Sequence, residues 1–230
     1  MTLTPEEWIA VRLSLKVATV ASLASLPLAI AAAYALARGR FPGRAVLDGF
    51  LHLPLVLPPV VTGYVLLLTF GRRGPVGSAL ESCCGIVFSF RWTGAALAAA
   101  VMAFPLMVRT IRLSIEAIDI RLEQAASTLG ANRAYVFTTV TLPLALPGVV
   151  AGLILAFAKA LGEFGATITF VSAIPGETQT VSAAIYAYTQ VPGGEAGALR
   201  LSVVAISIAL LAVIASELLT RRVLGSGRLT

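Results

Sequence analysis

Five runs of apolar residues, each long enough to cross a lipid bilayer, dominate this sequence. They cover about residues 11–37, 50–70, 92–113, 138–161 and 199–219. A membrane span needs roughly 20 mostly apolar residues, so each run qualifies as a transmembrane helix. Charged residues make up 12% of the chain, well below the share of about 25% in soluble domains. We therefore expect an all-α integral membrane protein, with one transmembrane domain over residues 1–230 and no separate soluble domain.

A sixth apolar segment, residues 164–174, is too short to cross the bilayer alone. We interpret it as an extension of the fourth span or as a re-entrant turn that follows it. The count therefore stays at five spans, and an odd number of spans places the two chain termini on opposite sides of the membrane.

The basic residues between the spans predict the orientation, because cytoplasmic loops carry an excess of Lys and Arg. One side of the predicted topology has ten arginines: Arg38, Arg40, Arg44, Arg109, Arg112, Arg121, Arg133, Arg221, Arg222 and Arg228. The other side has five basic residues: Arg12, Lys16, Arg72, Arg73 and Arg91. We expect an external N-terminus and a cytoplasmic C-terminus. The short basic groups flank lipid-spanning segments and form no single stripe, which argues against nucleic-acid binding.

The second apolar run contains Pro54, Pro58, Pro59 and Gly63. Prolines this dense remove backbone donors that lipid cannot replace, so this span is expected to be broken or kinked where protein or a water-filled cavity satisfies the freed carbonyls. Two interpretations remain open. The break is either a packing kink or part of a helix that lines a pathway.

Residues with catalytic chemistry are sparse. His52 is the only histidine, and with no second ligand or paired nucleophile it is better interpreted as an interfacial residue than as a catalyst. Cys83 and Cys84 are adjacent, a spacing that indicates neither a metal site nor a disulfide framework. No nucleotide-binding or hydrolase motif is present. We expect no catalytic residue, no metal and no cofactor.

Five residues are candidates for a substrate pathway. Lys159 and Glu163 lie one helical turn apart at the end of the fourth span, where they either neutralise one another or place a lysine to meet an anion. Thr62, Thr167 and Thr169 lie beside helix-breaking prolines and glycines. Neutral donors can pass an anion along without trapping it, although these hydroxyls can equally bond their own helix backbone.

The segment between the third and fourth spans predicts a helix, a stop and a second helix. Asp119 can cap a helix that runs from about residue 120 to 129, Gly130 can end it in the left-handed conformation, and Asn132 can cap the next helix. The first helix is too short to be stable alone in water, so it needs a packing partner. Ala125, Ala126 and Leu129 offer a small, smooth face for a partner protein.

This segment resembles the cytoplasmic signature of importer permeases of the ATP-binding-cassette (ABC) class. That signature reads Glu-Ala-Ala, three residues, Gly, nine residues, Ile or Val, one residue, and Leu-Pro. The matching positions here are Gln124, Ala125, Ala126, Gly130, Val140, Leu142 and Pro143. The resemblance implies a type I ABC importer permease fold in which residues 119–130 form the coupling helix, which docks in a cleft of a separate ATPase subunit.

The match departs from the signature at one position, where Gln124 replaces the usual glutamate. Glu123 precedes it, but neighbouring residues are rotated by about 100° around a helix, so Glu123 is no simple substitute. We include Glu123 with the signature residues as a candidate coupling residue. The departure calls an ion pair with the ATPase into question, but not the docking.

Three further stretches cover much of the chain: "RFPGRAVLDGFLHLPLVLPPVVTGYVLL", "FPLMVRTIRLSIEAIDIRLEQAASTLGA" and "LGEFGATITFVSAIPGETQTV". They resemble the permease subunits of bacterial molybdate importers, so the resemblance extends over nearly the whole chain. It implies a homodimer in the bacterial inner membrane, two ATPase subunits and a periplasmic molybdate-binding protein, with tungstate as a near-isostere of the substrate. Sulfate and thiosulfate permeases share FPGR and LGEFGA but are longer at the N-terminus. Molybdate is therefore the first choice of substrate, and sulfate or thiosulfate is the alternative. A self-sufficient secondary transporter is less favoured, because no internal repeat is evident.

Overall fold

The computed structural model describes residues 3–226, with side chains described for residues 3–218. Within these residues the chain is all-α, as predicted, and forms eleven α-helices and one short π-helix. They are α1 (Pro5–Arg38), α2 (Arg44–Val56), α3 (Pro59–Phe70), α4 (Pro75–Cys84), α5 (Trp92–Glu116), α6 (Ile120–Thr128), α7 (Arg133–Val136), the π-helix (Phe137–Thr141), α8 (Leu142–Leu161), α9 (Gly165–Val171), α10 (Val181–Thr189) and α11 (Glu195–Ser226).

Four helical segments of the described chain are long and apolar enough to cross a membrane: Pro5–Arg38, Trp92–Glu116, Arg133–Leu161 and Glu195–Leu218. The third of these joins α7, the π-helix and α8 into one continuous segment. α2 and α3 pass the same test only as a pair, which is bent by 113°. The described residues therefore contain four spans, or five if the bent pair counts as one.

The bend between α2 and α3 has a direct cause in the sequence. The N–H of Leu57 makes the last bond of α2, to the carbonyl of Leu53 at 3.0 Å. Pro58 and Pro59 then have no N–H to continue it, and the residue before a proline favours extended backbone. Leu57 is extended (φ −71°, ψ 144°), as is Pro58 (φ −53°, ψ 133°). The broken second span predicted from the prolines is confirmed.

The segment 164–174 forms the short helix α9, which packs against α3. This contact depends on two glycines. A Cβ on Gly63 would lie 2.5 Å from the carbonyl oxygen of Ala166, and one on Gly165 would lie 2.7 Å from the Cβ of Pro59. Close approach of backbones at small residues is the usual way for helices to associate in a membrane. α3 and α9 are therefore tightly packed against each other.

α5 is the central helix of the bundle. It packs against α1 on one side and α8 on the other, and 61% of its most apolar stretch is buried, compared with 11% for α11. Gly148 and Gly152 of α8 lie against α5, where a Cβ on Gly148 would overlap the side chain of Ser114. This small-residue spacing brings α8 close to α5. The signature segment at residues 120–143 thus connects two closely packed spans, α5 and α8.

The first helix begins at Pro5, ahead of the predicted start at residue 11, because Thr4 and Glu7 form a capping box. Glu7 is also paired with Arg200 of α11 at 2.7 Å, and it is only 1% exposed. Of the arginines used to predict orientation, Arg228 lies outside the described residues, as do the side chains of Arg221 and Arg222.

Candidate functional site

The predicted helix, stop and second helix between the third and fourth spans are confirmed. The carboxylate of Asp119 accepts a hydrogen bond from the N–H of Arg121 at 2.9 Å, which caps α6. Gly130 has a φ of +88°, in the left-handed region. The side chain of Asn132 accepts from the N–H of Tyr135 at 2.9 Å and caps α7. Each of these caps acts within a few residues of its own position, which is why local sequence rules could predict it.

α6 presents an exposed surface with no covering element in the described chain. Gln124 and Ala125 are exposed, Ala126 is half-buried, and Leu129 is 89% exposed just past the end of the helix. We call these four residues the coupling surface. No residue of α6 is classed as buried. A short helix with exposed apolar side chains at the water side of a membrane protein is typical of a docking surface.

Glu123 does not belong to the coupling surface, because its side chain points into the protein. Its carboxylate is 12% exposed and accepts from Arg38 at 3.1 Å. The same oxygen accepts from the hydroxyl of Thr141 at 3.0 Å. The sequence placed Glu123 among the candidate coupling residues, and the structure separates it from the residues that could touch a partner.

The remaining signature residues join α6 to the fourth span. Val140 lies in the π-helix, Leu142 is half-buried at the start of α8, and Pro143 is exposed in the first turn. The N–H of Leu142 bonds the carbonyl of Phe137, five positions back, as a π-helix requires. π-Helical turns within spans are frequent at functional sites. Sequence reasoning did not identify this one.

The ion pair predicted from the spacing of Lys159 and Glu163 is present at 3.0 Å. The Glu163 side chain is 2% exposed, and its second oxygen accepts from the N–H of Ala166 at 3.0 Å, in the first turn of α9. This carboxylate therefore has partners for both oxygens. The geometry agrees with the interpretation in which the two charges neutralise one another.

The structure does not bring the three candidate threonines together. The hydroxyl of Thr167 donates to the carbonyl of Phe164 at 2.8 Å, and that of Thr169 donates to Gly165 at 2.9 Å, so both bond their own local backbone. Thr62 differs, because its buried hydroxyl has no hydrogen-bond partner among the described residues. It lines an apolar cavity of about 740 Å³ between α1, α2, α3 and α5, whose lining includes none of the other four pathway candidates.

A polar cluster that the sequence did not predict lies between α2 and the end of α5 that leads into α6. Arg112 donates to Asp48 at 3.0 Å and to Glu116 at 2.8 Å. The Nδ1 of His52, expected at the interface, lies 2.8 Å from the Asp48 carbonyl oxygen. With Arg109 these side chains line a pocket of about 350 Å³. The sequence signal for this cluster was the i, i+3 and i, i+4 spacing of its ionisable residues, which places them on one face of each helix.

Cys83 and Cys84 are free and exposed at the end of α4, with their sulfurs 2.9 Å apart. The hydrogen bond between the two thiols, and to a smaller degree desolvation, raises the pKa of the Cys84 thiol. Within the described residues, no group of three or more His, Cys, Asp or Glu side chains could hold a metal ion.

Comparison with known proteins identifies the class to which this fold and its coupling surface belong. Residues 25–225 match the family described as the binding-protein-dependent transport system inner membrane component. The chain belongs to this family. Among solved structures, the MetNI methionine ABC transporter superposes with a TM-score of 0.74 at 16% identity, over 96% of this chain and 99% of that one. The predicted type I ABC importer permease fold is thereby confirmed.

Two relatives have more specific descriptions. The molybdenum transport system permease protein ModB of Escherichia coli (strain K12) is 60% identical over 221 residues, 96% of each protein. The sulfate transport system permease protein CysW of Synechococcus elongatus is 40% identical over 172 residues, 75% of this chain and 60% of that protein.

Proposed function

We propose that this chain is the transmembrane permease subunit of an ATP-driven importer that moves molybdate from a periplasmic binding protein into the cytoplasm. Tungstate, a near-isostere, is expected to follow the same route. The observation that carries the proposal is the 60% identity to a molybdenum permease over 96% of both proteins. The sulfate permease matches at lower identity and over less of each chain, which makes sulfate the second choice.

The proposed assembly is a homodimer of this chain with two ATPase subunits and a periplasmic molybdate-binding protein, in the bacterial inner membrane. The N-terminus lies in the periplasm and the C-terminus in the cytoplasm. The excess of arginine on one side of the spans supports this orientation, in which α6 would lie on the cytoplasmic side where an ATPase is available. ATP hydrolysis belongs to the ATPase subunits, and no residue of this chain is assigned a catalytic role.

The coupling surface is proposed to dock in a cleft of the ATPase through Gln124, Ala125 and Ala126. Gly130 ends the docked helix, and Leu142 and Pro143 lie in the continuous segment Arg133–Leu161 that follows it and forms the fourth span. ATP-driven closure of the ATPases would draw the two coupling helices together and open the dimer outward. The anion would then enter from the docked binding protein, and hydrolysis would reset the transporter.

The anion pathway is proposed to run beside two breaks in the chain, the first between α2 and α3 and the second at residues 162–164, between α8 and α9. Thr62 is the strongest of the five candidates, because its hydroxyl has no partner among the described residues and lines the cavity between α1, α2, α3 and α5. Lys159, Glu163, Thr167 and Thr169 lie around the second break, where they bond one another or the local backbone. A neutral donor binds a dianion weakly enough to release it.

Complementation tests the substrate assignment. Bacteria that lack their own molybdate permease, but retain a matching ATPase and binding protein, should regain normal cellular molybdenum at micromolar external molybdate when they express this chain. A strain that lacks its sulfate permease serves as the comparison. Recovery of sulfate uptake without recovery of molybdenum would assign the chain to sulfate instead.

A further inference from the structure

A single carboxylate oxygen joins the coupling helix to two other parts of the protein. Oε1 of Glu123 accepts from the Nε of Arg38 at 3.1 Å and from the hydroxyl of Thr141 at 3.0 Å. Arg38 is the last residue of α1, and Thr141 is the last residue of the π-helix. The coupling helix, the end of α1 and the start of the fourth span therefore meet at Glu123.

Two further contacts strengthen this junction. The terminal nitrogen of Arg38 donates to the carbonyl of Ile118 at 2.9 Å, in the linker that leads from α5 into α6. One turn earlier on α1, the ring of Tyr34 packs edge-on against Phe137 of the π-helix, with centroids 4.9 Å apart. Thr141 itself is fully buried. α1 and the π-helix are thus held together both by the aromatic contact between Tyr34 and Phe137 and by the hydrogen bonds to Glu123.

The Arg38–Glu123 pair is largely buried, which makes the loss of either partner costly. The side chains of Arg38 and Glu123 are 15% and 12% exposed, and hydrogen bonds between charged groups are about twice as strong as those between neutral groups. Removing one partner leaves the other charge partly buried without compensation. α6 packs chiefly against α7 and the π-helix, so the Arg38 pair supplies its link to α1.

From this geometry we infer that Glu123 is a positioning residue for coupling, which transmits displacement of α6 to the inner ends of α1 and α8. This inference rests on the proposed function, in which the coupling surface docks on an ATPase. It assigns different roles to adjacent residues: Gln124 faces the ATPase, and Glu123 connects the same turn of helix to the membrane spans. A merely stabilising ion pair would change how much protein folds, but not how much substrate moves per ATP.

The first test compares transport with ATP hydrolysis in the complete complex. The permease, ATPase and binding protein are reconstituted in proteoliposomes with Glu123→Gln, which keeps the side-chain shape and removes the charge. Assembly and ATP hydrolysis are expected to stay close to wild type, while molybdate moved per ATP falls at least about fivefold, the lower end of typical coupling between sites. Arg38→Gln should give the same loss. The double variant should lose less than the two single losses combined, because both single variants remove the shared Arg38–Glu123 interaction.

Glu7→Gln is the matched control. Glu7 is also a buried carboxylate paired with an arginine, Arg200, at 2.7 Å, but it lies in the first turn of α1, at the other end of that helix from Arg38. The Glu7→Gln variant is expected to have a lower thermal midpoint but unchanged molybdate transport per ATP. An equal loss of transport per ATP in Glu7→Gln would overturn the inference, since the effect would then be general loosening. If Glu7→Gln does not fold, Glu81→Gln, from the exposed pair with Arg72 near α4, takes its place.

A second measurement does not depend on the substrate. Spin labels are attached at Arg40→Cys and Thr128→Cys, both exposed positions, with Cys83 and Cys84 replaced by serine and labelled subunits diluted with unlabelled ones. In the otherwise unaltered chain, the distribution of distances between the two labels should be narrow and independent of nucleotide. Glu123→Gln should broaden this distribution. An unchanged narrow distance together with unchanged transport per ATP would overturn the inference. If the wild-type complex carries no molybdate, the proposed function fails, and the distances still decide the role of Glu123.

Discussion

Gly63 of α3 lies directly against the backbone of Ala166 of α9. A Cβ at Gly63 would lie 2.5 Å from the carbonyl oxygen of Ala166 and 2.9 Å from its Cα. Backbone atoms cannot move aside as a flexible side chain can. The contact therefore fixes how α3 packs on α9.

Gly63→Ala should destabilise the protein for this reason. Overpacking a tight contact costs about 1–3 kcal/mol, and the thermal midpoint of the purified protein measures the loss. Gly49→Ala is the control, because Gly49 is helical, exposed and has nothing within 4 Å of the added Cβ. That control should be neutral or stabilising by about 0.5–1 kcal/mol. Equal midpoints for the two variants would show that the α3–α9 contact is not tight.

Gly130→Val should impair coupling without preventing membrane insertion. The φ of +88° costs an L-residue about 1–2 kcal/mol, and a β-branched side chain resists it most. We expect ATP-driven uptake to fall about tenfold, which corresponds to 1.4 kcal/mol. Gly193→Val is matched to it, with a φ of +81° and open space around the Cβ, but it lies in the loop before α11. Normal uptake in Gly130→Val would remove the proposed role of this glycine.

Substitutions on the coupling surface separate shape from charge. Ala125→Arg should abolish copurification with the ATPase, because it places a bulky charge on the exposed surface of α6. Gln124→Glu should leave assembly and uptake intact if docking depends on shape and hydrogen bonds. Ser78→Arg, at an exposed position of α4, controls for the added charge. Assembly that tolerates Ala125→Arg would place the ATPase contact elsewhere.

Local rules were sufficient for much of this structure. The caps at Asp119 and Asn132 and the stop at Gly130 involve atoms within a few residues, so the sequence specifies them almost alone. The break at Pro58 and Pro59 follows equally directly from two missing donors.

Contacts between distant residues could not be predicted in the same way. Helical periodicity places Glu123 on a different face from Gln124, but it does not show that Arg38, 85 positions earlier, is the partner. The same holds for Arg112 and Asp48, 64 positions apart. Such pairs depend on how whole helices pack, which the spacing of residues within one helix does not determine.

The pathway proposal predicts different reactivity at two threonines. In a background without Cys83 and Cys84, Thr62→Cys should react with a water-soluble thiol reagent at a rate that ATP changes, because Thr62 lines the cavity through which the anion is proposed to pass. Thr167 is 3% exposed, so Thr167→Cys should react only in nucleotide states that open the second break. Ser14→Cys, at a buried position that bonds Val181, should stay unreactive throughout. A Thr62→Cys variant that is inert in every nucleotide state would require the pathway to be drawn elsewhere.

The most direct test of the central claim is uptake of labelled molybdate by the reconstituted complex of this chain with its ATPase and binding protein. Uptake should require ATP and all three components. A tenfold excess of unlabelled tungstate should suppress it almost completely, because equal affinities would leave about one-eleventh of the signal, whereas the same excess of sulfate should leave most of it. ATP-dependent uptake of sulfate that molybdate fails to suppress, or molybdate uptake that persists without the ATPase, would contradict the account.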